Sequence, residues 1–330
     1  MQSVEHRVDN GAGWELALVQ TWDEARIDRG RRPVVIVPGY GMNSYIFSYH
    51  PSGPSLEGYL AAAGFEVWRA DLRNQGPSRA VSSSGDADHY SLEDLALTDL
   101  GAVVHRVLDR TRTTADRADM IGCSLGGTIM FIHAALNPEH RLGSLVAMGT
   151  PVRWVAIHPL VRAAFSSPAL IGAIRLRGTR KLAEVLLPQL VRFTPWLLSI
   201  YINPEITDTS AAEEMVKTVE DPNRAINLQI AEWIRRRDLV LRDTNISEAL
   251  RSVTRPLLCV YANGDGIVPR ETATFPYEQA GSSRKSLLEV GTREIAMAHA
   301  DMFVSRECHA RVFAPVAAWL AEDQARLRSA

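Results

Sequence analysis

The heptapeptide Ile121-Gly122-Cys123-Ser124-Leu125-Gly126-Gly127 constrains the fold more than any other part of this chain. It places one serine between glycines, after the apolar run Ala118 to Ile121 and before a second run, Thr128 to Ala135. A strand that turns abruptly into a helix through a serine holds the hydroxyl out of the backbone, where a carbonyl carbon can reach it. We expect a side chain at Gly122 or Gly126 to collide with the neighbouring strand or the helix start, and Ser124 to be strained.

Composition indicates a globular protein. The chain has 330 residues, enough for one large domain or for a core with an insertion. Hydrophobic residues make up 46% of it and charged residues 22%, which is not typical of a disordered chain. The formal net charge is −2 and the basic residues are spread along the chain, so nucleic-acid binding is not predicted.

The cysteines and the apolar runs indicate in which cellular compartment the protein is expected. Cys123, Cys259 and Cys308 lie in apolar segments, which favours buried thiols over a disulfide framework. The first residues lack the apolar segment of a secretory signal, and no run of about eighteen uncharged apolar residues follows. We therefore expect a cytoplasmic protein without stable membrane insertion. The sequence does not indicate an oligomeric state.

The first 150 residues alternate between strand and helix patterns. Short apolar or alternating runs predict strands at Trp14 to Val19, Pro33 to Val37, Phe65 to Ala70 and Leu145 to Met148. Between them, helical patterns run from Ser55 to Ala63 and onward from Ser91. This alternation predicts an α/β fold in which helices cover both faces of a mostly parallel sheet.

The alternation of strand and helix patterns stops after Pro151. From there to about Thr254 the patterns predict helices and no convincing strand, and Asp221-Pro222 predicts the start of one helix. Strand patterns resume at Pro256 to Tyr261 and Lys285 to Val290, and an amphipathic helix, roughly Arg306 to Glu322, closes the chain. We predict a core of residues 1–150 and 255–330, with a helical cap or lid inserted at residues 151–254.

Two further polar residues complete a candidate for nucleophilic catalysis. A serine hydroxyl attacks an ester at neutral pH only with the help of a base, and that base needs an orienting acid. In an open parallel sheet, such groups lie beyond the carboxyl ends of the strands. Asp265 follows the strand ending at Tyr261, and His299 follows the strand ending at Val290. The sequence therefore predicts Ser124 as nucleophile, His299 as base and Asp265 as its orienter.

An oxyanion intermediate needs two backbone N–H donors. One is expected from Leu125, the residue after the nucleophile, where the helix dipole also favours negative charge. The other is expected from the loop Val37 to Asn43, in which Tyr40 occupies the donor position.

Taken together, these motifs resemble the α/β-hydrolase superfamily, of serine esterase and lipase type. The resemblance covers the core in chain order and rests on Gly39-Tyr40, the turn Asp71 to Ser78, the serine heptapeptide, Gly264-Asp265 and His299. It implies the α/β-hydrolase fold, the three catalytic roles and the two oxyanion donors given above. No phosphate-binding loop, zinc motif or other cofactor motif is present, so we expect no cofactor and no metal.

Two positions depart from the pattern of the superfamily. Many members have His-Gly where this chain has Pro38-Gly39, which removes a side chain that often braces the oxyanion loop. Many also have glycine where Asn74 stands, and asparagine tolerates a positive φ better than most residues. The segment Ser55 to Gly76 is also similar to relatives of lysosomal acid lipase and polyhydroxyalkanoate synthase. The synthases use a cysteine nucleophile, whereas serine occupies that position here.

The expected substrate is a small-molecule ester with an apolar acyl or alcohol portion. The inserted segment is rich in apolar side chains, and we expect Tyr40, Met42 and Trp196 to contact the substrate. The run Arg235-Arg236-Arg237 is typical of a solvated helix end, and it also suits a site for an anionic group such as a CoA phosphate. The leading hypothesis is a serine hydrolase of carboxylic esters. An acyltransferase or thioesterase with the same triad, and a non-catalytic binding protein, are the alternatives.

Overall fold

A mostly parallel sheet forms the centre of the molecule. The computed structural model of the chain describes residues 1–81, 89–166, 178–183, 198–210 and 212–329. Its strands are β1 Gln2–Asp9, β2 Trp14–Trp22, β3 Val34–Val37, β4 Val67–Asp71, β5 Arg79–Ala80, β6 Ala118–Cys123, β7 Leu142–Met148, β8 Val240–Leu241, β9 Thr244–Asn245, β10 Leu257–Ala262 and β11 Lys285–Val290.

The strand order of the main sheet is β1-β2-β4-β3-β6-β7-β10-β11, and β5 pairs with β2 at the side. Strand β2 runs antiparallel to β1, β4 and β5. The neighbours from β4 to β11 are all parallel. The α/β fold with a mostly parallel sheet, predicted from the alternation of patterns, is therefore confirmed.

Helices cover both faces of this sheet. The helices of the described residues are α1 Leu56–Ala62, α2 Leu100–Arg110, α3 Leu125–Leu136, α4 Pro159–Ala164, α5 Ala212–Val216, α6 Arg224–Arg236, α7 Ile246–Ala249, α8 Arg270–Ala273, α9 Phe275–Gln279, α10 Asp301–Val304 and α11 Ala314–Ser329. Single 3₁₀ or π turns occupy Ser44–Phe47, Asp94–Asp99, Leu250–Ser252 and His309–Phe313. Within the described residues, no helix is long and apolar enough to cross a membrane.

Strand β3 shows why the sequences of the central strands are unbroken apolar runs. All four of its residues are buried, with Val35 and Val37 in one hydrophobic cluster and Val34 and Ile36 in the other. Helices α2 and α3 contribute to the first cluster, and α1 and α11 contribute to the second. Because successive side chains of a strand point to opposite faces, a sheet covered on both sides needs apolar residues at every position.

Residues 151–254, which we call the intervening segment, lie between the parallel neighbours β7 and β10. The described part of this segment is mainly helical, but β8 and β9 form a short antiparallel hairpin, so the expectation of no strand there was wrong. The predicted helix start at Asp221 was also wrong. Helix α6 begins at Arg224, and Asn223 caps it by accepting from the N–H groups of Ala225 and Ile226.

Candidate active site

Ser124 occupies a sharp turn between β6 and α3, with φ 51° and ψ −121°. The flanking glycines allow this turn. A Cβ at Gly122 would lie 2.7 Å from the backbone nitrogen of Gly127, at the helix start. A Cβ at Gly126 would lie 2.5 Å from the carbonyl oxygen of Pro38, just beyond the neighbouring strand. Both collisions and the strained serine, predicted from the heptapeptide, are confirmed.

Asp265 and His299 form a buried pair on the loops after β10 and β11. Oδ2 of Asp265 lies 2.6 Å from Nδ1 of His299. The other carboxylate oxygen, Oδ1, accepts from the N–H groups of Ile267 and Val268, both at 2.8 Å. Since a carboxylate only accepts, Nδ1 carries the proton in the neutral ring, and the lone pair is then on Nε2 of His299.

The His299 ring lies at the end of β7, the strand that pairs with β6, which leads into Ser124. The backbone nitrogen of Ser124 donates to the carbonyl of Met148 at 2.8 Å, at the end of β7. The next residue, Gly149, packs against the imidazole: a Cβ there would lie 2.9 Å from Cε1 of His299. The backbone partner of Ser124 and the residue in contact with the ring are therefore consecutive, at the end of β7.

Asp301 fixes the loop that bears His299. Its carboxylate accepts from the N–H of Ala298 at 2.7 Å, from the N–H of Asn203 at 3.0 Å and from the hydroxyl of Thr207 at 2.7 Å. The intervening segment is thereby bonded to the histidine loop. The role of Asp301 in joining two loops has no local signature in the sequence.

Two backbone donors lie beside Ser124. Leu125 begins α3, and Tyr40 lies in the loop after β3. Among the described residues, no acceptor bonds to the N–H of either one. A Cβ at Gly39 would lie 3.0 Å from Cβ of Ser124, which shows how closely this loop passes the serine. The phenol of Tyr40 donates to Oδ1 of Asn227 on α6, and burial raises its pKa.

An apolar cavity of about 380 Å³ opens onto Ser124. Its described lining contains no charged side chain. The lining comes from the segments that follow strands of the sheet and from the intervening segment, and it includes Tyr40, Trp154, Phe165, Ile230, Trp233 and Val268. This volume and chemistry are typical of a site for a small, largely apolar ligand.

The other predicted contacts have different outcomes. Met42 lies near the site, because a Cβ at Gly39 would be 3.4 Å from its sulfur, but it is not among the described residues that line the cavity. Its contact with substrate stays a prediction. Trp196 lies outside the described residues, so its role stays a prediction as well. Arg235 and Arg236 both form ion pairs with Glu232 of their own helix.

A second cleft, of about 420 Å³, lies beside β2 and is lined by charged groups that include Arg69, Asp71 and Lys217. Arg69 forms an ion pair with Glu57 and Lys217 with Glu214, each at 2.6 Å. None of the predicted catalytic residues lines this cleft. The chemistry therefore favours the apolar cavity as the active site.

One group of the described residues has the spacing of a metal site. Ligand atoms of His50, Cys308 and His309 lie within 4.8 Å of one another. However, Nδ1 of His50 accepts from the N–H of Ser52, and its Nε2 lies 3.1 Å from the carbonyl oxygen of Ser305, to which it must donate. Both nitrogens of this ring are thus in use, and burial raises the pKa of the Cys308 thiol. We assign no metal to this group.

Cys123, which precedes Ser124, is not a candidate nucleophile. Cys123 is buried at the end of β6, and burial raises the pKa of its thiol well above the usual value. A thiol held neutral in apolar surroundings is inert.

Comparisons with known proteins agree with this architecture. A family model described as the alpha/beta hydrolase fold matches residues 32–288. The chain therefore belongs to the α/β-hydrolase fold family, as the resemblance of its motifs implied.

Curated relatives and solved structures are similar over most of the chain. A pimeloyl-[acyl-carrier protein] methyl ester esterase of Vibrio parahaemolyticus is 25% identical over 283 residues, covering 83% of this chain and 91% of the relative. The protein of the same name from Edwardsiella ictaluri is 24% identical over 280 residues, covering 84% and 93%. A thermophilic esterase from Thermogutta terrifontis has the same fold, with a TM-score of 0.64 at 18% identity, covering 98% of this chain and 100% of that one.

Proposed function

We propose that the protein is a serine hydrolase of carboxylic esters whose acyl or alcohol portion is apolar. The observation that supports this proposal is the buried Asp265–His299 hydrogen bond, whose ring packs against Gly149, next to the Met148 carbonyl that accepts from the strained Ser124. Ser124 also lines the apolar cavity. Membership of the α/β-hydrolase fold family and the esterase names of the curated relatives support it.

The geometry suggests a two-step reaction. Because Nδ1 of His299 donates to Asp265, Nε2 is the base that takes the proton of the Ser124 hydroxyl. The serine oxygen attacks the ester carbonyl, and the N–H groups of Tyr40 and Leu125 stabilise the oxyanion. His299 then protonates the departing alcohol. Water, deprotonated by the same nitrogen, releases the acid from the acyl-enzyme.

The intervening segment acts in this proposal as a cap over the site. Trp154, Phe165, Ile230 and Trp233 line the cavity, and all belong to residues 151–254. Burial of an apolar chain against them contributes roughly 25 cal/mol for each Å² removed from water. A charged group in the same position would lose its hydration without gaining a partner. We therefore expect neutral esters to be preferred over esters that carry a distal carboxylate.

The test is the hydrolysis of p-nitrophenyl and methyl esters, from acetate to decanoate, by wild type and Ser124→Ala. We expect kcat/KM to fall at least about 10³-fold in the variant, with the melting temperature little changed. Ser252→Ala, which removes a hydroxyl bonded to the carbonyl of Ala249, serves as the control and should behave like wild type. Undiminished turnover in Ser124→Ala would refute the proposal.

Product analysis separates hydrolysis from the related reactions. With an added alcohol or amine, a hydrolase yields mainly the free acid, whereas an acyltransferase yields mainly the new ester or amide. A matched pair of ester and thioester substrates with the same acyl chain distinguishes an esterase from a thioesterase.

A further inference from the structure

The oxyanion loop, residues 38–43, carries Tyr40 but begins with Pro38, which offers no polar side chain to hold it. Its support comes from the intervening segment. The N–H of Asn43 donates to the carbonyl of Thr218, and the N–H of Glu220 donates to the carbonyl of Gly41, both at 2.8 Å. Met42 and Val219 form the antiparallel bridge between these two bonds. Residues 218–220 thus pair with the loop as an added strand would.

The side chain of Glu220 extends this contact to two more segments. Its Oε1 accepts from Nδ2 of Asn43 at 2.5 Å, from the N–H of Gly76 at 3.0 Å and from Nη2 of Arg180 at 2.8 Å. The three donors belong to the oxyanion loop, to the turn after β4 and to the intervening segment. The side chain is only 20% exposed, so these bonds are partly shielded from water.

A surface ion pair with Arg180 would account for only one of these three bonds. Arg180 is 44% exposed, and such pairs contribute about 0–1 kcal/mol. The backbone N–H of Gly76 and the amide of Asn43 are different, because they belong to two separate loops that this one carboxylate oxygen joins. Asn43 donates its remaining amide hydrogen to the carbonyl of Lys217, which belongs to the same intervening segment.

We propose that Glu220 is a positioning residue that holds the oxyanion loop, and with it the N–H of Tyr40, in place from the intervening segment. This inference rests on the proposed function, since it needs an oxyanion at Ser124. Glu220 does not touch the substrate. Its loss lets the loop drift, and a misplacement of about 1 Å in a catalytic group can cost about 10²-fold in rate. Ground-state binding in the apolar cavity stays largely intact, because Glu220 does not line it.

The test compares Glu220→Ala and Glu220→Gln with wild type and with Glu232→Ala. Glu232 is a matched control: it lies on the same segment, and within the described part of the chain its ion pairs are with Arg235 and Arg236 of its own helix. For a short p-nitrophenyl ester, we expect kcat of Glu220→Ala to fall about tenfold or more with KM within about twofold. The rate of fluorophosphonate labelling should fall in parallel, since phosphonylation passes through the same oxyanion site.

Glu220→Gln keeps an acceptor oxygen and should retain kcat within about threefold of wild type, and Glu232→Ala should not differ from wild type. If Glu220→Ala does not fold, Glu220→Asp replaces it, because its carboxylate is one methylene too short to reach all three donors. An active wild type with unaltered kcat in Glu220→Ala or Glu220→Asp overturns this inference alone. So does a change in KM without a change in kcat. A wild type that neither hydrolyses esters nor reacts with the probe overturns the proposed function, and the inference with it.

Discussion

Oδ2 of Asp265 lies 2.6 Å from Nδ1 of His299, at the end of two neighbouring parallel strands. The carboxylate is fully buried and the imidazole 8% exposed. Because the second oxygen of Asp265 accepts two backbone N–H groups, the carboxylate cannot rotate away from the ring. The pair therefore fixes both the orientation and the tautomer of His299.

Replacing Asp265 with Asn should reverse this tautomer. Oδ1 would still accept from Ile267 and Val268, but the amide nitrogen would donate to Nδ1 of His299 and move the ring proton to Nε2. The base would then be blocked, and we expect kcat to fall about 10³- to 10⁴-fold. The free energy of unfolding, measured in urea, should change by no more than about 1–2 kcal/mol. A variant that keeps kcat within tenfold of wild type would contradict the role of Asp265.

Gly149 provides a steric test of the position of His299. Its φ is +53°, and a Cβ would lie 2.9 Å from Cε1 and 3.1 Å from Nδ1 of the imidazole. Gly149→Ala should displace the ring and lower kcat at least about tenfold. Gly11→Ala is the matched control, since Gly11 has φ +71° but nothing within 4 Å of a Cβ. It should show only the conformational cost, about 1–2 kcal/mol of stability, with kcat unchanged. Equal kcat in the two variants would argue against a ring at this position.

The preference for the length of the acyl chain should depend on the cavity volume that the side chains of α6 leave free. Ile230 is 5% exposed and lines the apolar cavity. Ile230→Phe adds bulk there, so kcat/KM for octanoyl and decanoyl esters should fall about tenfold or more relative to acetyl esters. Acetyl esters are the internal control, because they need little of the cavity. A uniform decrease for all chain lengths would indicate damage to the fold instead of a change in selectivity.

His140 makes stability depend on pH. Burial, with the positive charges of His133, Arg255 and Arg117, lowers the pKa of His140 to about 4. A lowered pKa means that the folded state favours the neutral ring, whose Nδ1 accepts from the N–H of Leu142. This contribution is fully present above pH 6.5 and is lost as the pH falls from 6.5 to 4.

The measurement compares urea unfolding of wild type and His140→Asn at pH 7 and pH 4. On acidification, the free energy of unfolding of wild type should fall by about 2 kcal/mol more than that of the variant. The difference is no larger because the ring is only half-buried and water screens its charge. Parallel pH dependence in both proteins would show that His140 does not titrate in this way.

Local patterns predicted the elements that face the core. The glycines of the serine turn and the apolar run of β3 each follow from constraints within a few residues. The positive φ of Asn74, 61°, agrees with the glycine that many members of the superfamily have at this position. Strand β1 was not predicted, because most of its residues are exposed and show no alternation. Its backbone pairs with β2 at the edge of the sheet, and no side-chain pattern records such pairing.

The contacts that hold the site together were beyond sequence reasoning for a different reason. Glu220 accepts hydrogen bonds from Gly76, which is 144 positions away in the sequence, and from Asn43, which is 177 positions away. Asp301 accepts from Asn203, which is 98 positions away. Asp221 illustrates the difficulty. Its carboxylate has the position of a helix cap before Pro222, yet it accepts from the N–H groups of Gly178 and Thr179 instead. A single sequence gives residue type and spacing but not which distant loop competes for the side chain.

The proposed chemistry depends on Ser124 forming a covalent intermediate. The most direct measurement is the mass of the intact protein after reaction with a fluorophosphonate, followed by peptide mapping of the adduct in wild type and Ser124→Ala. We predict one adduct per chain, located on the peptide that contains Ser124, and no adduct in the variant. An adduct on another residue, or ester turnover by a wild type that forms no adduct, would contradict the mechanism.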